Sequence, residues 1–131
     1  MNIRLFAIAA SALAMGAAAS QAQAGAKDYE FQPVVAEVKN GTVGNVTVRL
    51  VHKPDGKPVA GAVIFRSRFD MSPDSMGEME GKLTAQPPAG PGLYRFKAEP
   101  TMAGSWALKL MAKVPGESET VEGTVIIKAK D

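Results

Sequence analysis

The chain has 131 residues, a formal net charge of +2, 46% hydrophobic residues and no cysteine. That length leaves room for one ordinary domain behind a leader. The near balance of charge excludes a basic nucleic-acid-binding surface, and the lack of thiols excludes disulfide staples, cysteine nucleophiles and thiolate metal sites.

Residues 1–24 read as a signal peptide. A short positive start ending at Arg4 precedes an alanine-rich apolar run over residues 5–19, and Ala22-Gln23-Ala24 supplies the small residues a signal peptidase reads. Cleavage is expected after Ala24, sending residues 25–131 to the periplasm as a soluble domain with net charge +1 once Arg4 is gone. The apolar run is too short to span a bilayer comfortably, and no stop-transfer pattern follows it.

Beyond the leader, hydrophobic periodicity is two almost everywhere. A first strand is expected over residues 29–38, with Pro33 marking it as an edge. Val46, Val48 and Leu50 alternate with polar residues in a second. After the turn Lys53-Pro54-Asp55-Gly56 comes a third, in which Val59, Val63 and Phe65 are expected to face inward. Residues 70–81 break the rhythm and are expected to form a polar, methionine-bearing loop. Tyr94, Phe96 and Ala98, then Trp106, Leu108, Leu110 and Ala112, mark two further strands, and a last one runs over residues 121–129 with Val125 and Ile127 inward. Turn clusters at short intervals make this an all-β, immunoglobulin-like antiparallel β-sandwich of about seven strands. Trp106, the only tryptophan, is its expected core anchor.

Three of the chain's methionines, Met71, Met76 and Met79, lie in the polar segment, and Met102 lies in a turn just ahead of the Trp106 strand. Thioethers are neutral, soft ligands that suit Cu(I) or Ag(I) and neglect hard cations. Asp70, Asp74, Glu78 and Glu80 would add negative potential beside them. The same methionines could instead cap the open end of the sandwich or contact a partner, because methionine adapts readily to irregular surfaces. Met111 falls on the outer face of its strand and is left out of the ligand set. His52 is in phase with Val46, Val48 and Leu50. It is either a structural histidine held by its turn or a further ligand, the latter only if the methionine loop lies at the same end. No catalytic residue is assigned: a nucleophile elbow, a serine–histidine pairing, a complete phosphate loop and an EF-hand are all missing.

Over residues 46–125 the chain resembles the FixH-like or YtkA-like exported domains. The likeness is carried by Val48-Arg49-Leu50-Val51, by Gly56-Lys57-Pro58-Val59-Ala60-Gly61-Ala62 and by Asp70-Met71-Ser72-Pro73-Asp74-Ser75-Met76 with Met79. Gly92-Leu93-Tyr94-Arg95-Phe96 and Met102-Ala103-Gly104-Ser105-Trp106 complete it. The resemblance implies a periplasmic β-sandwich from systems that handle copper or other heavy metals. Met71, Met76, Met79 and Met102 then match methionine-bearing positions, and a metal-efflux pump component or a cuproprotein is the implied partner. The chain departs from FixH proper, which is membrane-anchored. The function expected is thus transfer of Cu(I) by thioethers, with His52 a candidate fifth ligand. The alternative is a metal-free module that docks on an envelope complex.

Overall fold

The structure is a computed structural model that describes residues 26–131. The signal-peptide expectation lies outside the described residues. Among the described residues no helix is long and apolar enough to cross a membrane.

Two five-stranded sheets face each other. One has the order β1 (Tyr29–Val35), β3 (Gly44–His52), β8 (Leu93–Glu99), β7 (Lys82–Gly90), with β4 (Lys57–Pro58) also paired to β3. The other runs β2 (Glu37–Lys39), β10 (Val121–Lys130), β9 (Gly104–Lys113), β5 (Val63–Met71), β6 (Met76–Glu80). All pairs are antiparallel except β2 with β10. The expected first strand is therefore two: the chain leaves the first sheet at a bulge after Pro33 and joins the edge of the second. Pro33 sits on an outer strand, where its missing N–H costs no ladder bond.

The alternation read from the sequence sets the core. Val46, Val48 and Leu50 on β3 and Phe96 and Ala98 on β8 face Trp106, Leu108, Leu110 and Ala112 on β9 and Val125 and Ile127 on β10. Trp106 is fully buried and stacks on Phe69 with ring centroids 4.5 Å apart. Tyr94 reaches past the core, where its hydroxyl donates to the Val59 carbonyl and accepts from the Ala62 N–H. That pair of bonds pins the crossing from the first sheet to the second.

Three readings need correction. Val63 and Phe65 were expected inward, but a bulge between Ile64 and Arg66 turns them out, 61% and 50% exposed, while Ile64 packs on the core. Residues 70–81 were expected to be loop throughout. Instead Asp70 and Met71 close β5, and residues 76–80 return as the outer strand β6, paired only with that end of β5. β7 was not expected at all, because Pro87 and Pro88 read as a turn. They lie on a sheet edge past a register shift, where proline is tolerated.

Candidate soft-metal site at the methionine-bearing end

β5 ends at Met71, and the 3-10 turn Ser72–Asp74 follows, with Pro73 fixing its first turn. Ser75 takes a left-handed conformation (φ 62°) and donates its N–H to the Ser72 carbonyl, which reverses the chain into β6 and sets Met76 opposite Met71.

Asp70 holds this corner together. It is fully buried, and its Oδ1 accepts from the Ser72 N–H at 3.0 Å and from the Ser72 hydroxyl. Its Oδ2 accepts from Arg68 Nε at 2.6 Å and from Lys109 Nζ at 3.1 Å. Burial alone would raise the Asp70 pKa. The Ser72 side-chain and backbone bonds, followed by those from Arg68 and Lys109, outweigh it and hold the carboxyl well below the usual carboxylate range. Arg68 also donates to the Gly77 carbonyl at 2.7 Å and pairs with Glu80 at 3.1 Å, so one guanidinium ties β5 to both ends of β6.

The second methionine-bearing turn meets the first at Gly104. Asp74 Oδ2 accepts from the Ser105 N–H at 3.0 Å, and Trp106 Nε1 donates to the Met102 carbonyl at 3.1 Å. Gly104 has φ 144°, and a Cβ there would lie 2.6 Å from both Asp74 Oδ2 and the Met71 methyl carbon. Only glycine lets the two turns close on each other here. The result is one end of the sandwich on which Met76, Met79 and Met102 are 36%, 39% and 37% exposed.

The expected site residues separate into three groups. Met76, Met79 and Met102 are partly exposed, the first two on β6 and the third in the turn before β9. Met71 is not: its side chain is fully buried in the core beneath them, since alternation from Phe69 carries it inward. His52 lies at the opposite end. Met102 follows β8, whose last residues pair with Gly44 at the start of β3, whereas His52 ends β3, about 25 Å along the strand. There its Nδ1 lies 3.0 Å from Asp55 Oδ1, and its ring packs against Tyr29 at 5.1 Å, so the histidine is structural, held by a turn carboxylate. Among the acidic residues expected to add negative potential, Asp70 and Asp74 are committed to structure and Glu80 to Arg68, which leaves Glu78. Among the described residues no three histidine or carboxylate side chains are grouped to hold a metal.

The sequence profile of the YtkA-like family matches residues 23–111. The chain belongs to the YtkA-like family. The match spans both methionine-bearing turns of this YtkA-like chain and the strands that carry them. No curated protein matches it. Among solved structures it is similar to the Lin-41 filamin domain, at 16% identity over 75% of this chain and 93% of that one, with a TM-score of 0.43. It is also similar to the ZirS C-terminal domain, at 12% identity over 91% of this chain and 80% of that one, with a TM-score of 0.40.

Proposed function

We propose that this YtkA-like chain is an exported, periplasmic accessory protein that binds Cu(I), or Ag(I), through Met76, Met79 and Met102. It then passes the ion to an efflux pump component or a cuproprotein. The observation that supports the reading is the closure of the two methionine-bearing turns at Gly104, together with the partial exposure of Met76, Met79 and Met102. Such ligands need no deprotonation and select a soft monovalent ion over the hard cations that outnumber it. The cargo is copper itself, and the protein's part is to hold it loosely enough to give up. Each of the three methionines is partly exposed, so a partner's ligands would replace them one at a time, without unfolding of the site. Met71 lies beneath as core and is not a ligand. The role is non-catalytic.

The test is X-ray absorption on the purified protein loaded with one equivalent of Cu(I). A sulfur-only first shell, lost when Met76, Met79 and Met102 are all changed to Leu, is the expected result. A shell of nitrogen and oxygen, or a sulfur shell that survives the triple change, overturns the assignment.

The metal-free docking module is the second reading. It draws on the same exposure, since half-exposed methionines on fixed backbone make an adaptable apolar contact surface. Partner capture that persists in strong copper chelator favours it, and capture that requires copper favours the first.

A further inference from the structure

The register fixes what the second sheet turns outward. β9 sends Trp106, Leu108, Leu110 and Ala112 into the core, so Lys109 and Lys113 face out. Paired residues share a face, which puts Arg66 and Arg68 of β5 beside them, and Lys128 and Lys130 of β10 on the same side with Lys39 of β2. The carboxylates on this face neutralise only part of that charge. Asp70 is taken by Arg68 and Lys109, Glu80 by Arg68 and Glu37 by Lys130. Among the described residues Lys39, Arg66, Lys113 and Lys128 have no carboxylate partner, against Glu122 on β10 and Glu78 out on β6.

One corner of the face adds apolar surface. Val63 lies opposite Lys113, and the bulge residue Phe65 carries its ring under the Lys113 ammonium, 6.0 Å from the centroid. Both side chains stand into solvent, 61% and 50% exposed, with Arg66 next in sequence and also exposed. Farther along the same face Ile126 is 44% exposed beside Lys128. The outer face of the first sheet is basic too, with Arg49 and Lys97 exposed on it, but β3, β7 and β8 expose no large apolar side chain.

We propose that the outer face of the second sheet docks on an anionic phospholipid surface, with Val63 and Phe65 entering the headgroup layer and Arg66, Lys113 and Lys128 meeting its phosphates. Two features favour a bilayer over an acidic protein. Lys113 and Lys128 lie about 27 Å apart along the strands, and three of the four unpaired cations are lysines. Point charges on mobile stems, spread that widely, suit a diffuse anionic plane, whereas fixed carboxylates are met best by arginine forks. The corner also exposes only two neighbouring apolar side chains, too few for the apolar centre of a stable protein interface. A second copy is the wrong occupant, because two such faces would set cation against cation. The proposal is independent of the copper reading.

The experiment is flotation of the purified, metal-free protein with vesicles of phosphatidylcholine, alone or mixed with an equal part of phosphatidylglycerol. The protein should float with the mixed vesicles only, and added salt should release it. Arg66→Glu combined with Lys113→Glu should weaken binding by about a hundredfold or more. Arg49→Glu combined with Lys97→Glu makes the same change of net charge on the opposite face and should weaken it less than about threefold, since that face lies beyond the screening length. Phe65→Ser, at an exposed site, should weaken it by about tenfold at every salt concentration. Absence of the protein from mixed vesicles at low salt overturns the proposal. Equal loss in the two double variants also overturns it, because net charge and not this face is then responsible, as does a Phe65→Ser variant that binds like wild type.

Discussion

Changing Asp70 to Asn keeps the volume of a fully buried side chain and removes its charge. The amide oxygen can still accept from Ser72, but the amide nitrogen then faces Arg68 Nε and Lys109 Nζ, donor against donor, where the carboxylate accepted from both. Each lost charge-assisted bond is worth about 1.5–3 kcal/mol. Both cations are partly exposed and recover hydration, and Arg68 keeps Glu80, so the expected loss is about 2–4 kcal/mol rather than the sum. Urea unfolding at neutral pH should show it as a lower midpoint with unchanged slope. The pH dependence has a fixed sign. The folded-state pKa of Asp70 is depressed, so its contribution is complete above the ordinary carboxylate range and is lost as the pH falls through that range toward the folded value. The gap between wild type and Asp70→Asn should therefore be widest at neutrality and narrow steadily below about pH 4. A gap under about 1 kcal/mol at neutral pH, or one that stays constant in acid, would refute the claim that Asp70 holds this corner by its charge.

Gly104→Ala should cost about 2–4 kcal/mol in denaturant unfolding and weaken Cu(I) capture, because a Cβ in that backbone conformation meets Asp74 and Met71. Met71→Leu should cost less than about 1.5 kcal/mol and leave Cu(I) capture intact, as a volume-conserving change in the core. His52→Ala should likewise leave Cu(I) affinity unchanged in a competition titration, since the histidine lies at the other end of the sandwich. The Tyr29 hydroxyl donates to Glu117 at 2.8 Å, and burial, that bond and the Glu117 charge push its pKa from 10.0 up to about 12. Its stabilising contribution is complete below pH 10 and is lost as the pH rises through about 12, so the tyrosinate absorbance absent from Tyr29→Phe should appear only near the upper value.

The sandwich was legible because its core is written in the alternation of β3, β8, β9 and β10, a local pattern that burial enforces. Val63 and Phe65 were misread because a bulge shifts the register by a residue, and nothing in the side-chain types of residues 63–66 marks where the extra residue falls. β7 was hidden by Pro87 and Pro88, which signal a turn and are equally at home on an unpaired edge. At the site, the sequence left open whether the two methionine-bearing turns meet; they close on each other at Gly104, with Met76, Met79 and Met102 partly exposed. The burial of Met71 follows from its phase with Phe69, a signal that was present but overridden by the polar residues after it. The role of Asp70 was not legible, since its partners Arg68 and Lys109 come together only through the pairing of β5 with β9. The distance of His52 from the methionines depends on which end of each strand meets which turn, and that is a property of topology.

The most direct test is a Cu(I) competition titration under reducing conditions against a coloured chelator, with wild type and the Met76/Met79/Met102 triple leucine variant side by side. Stoichiometric capture by wild type and none by the variant is the predicted result. Equal capture by both, or none by wild type even from a weak competitor, would contradict the account.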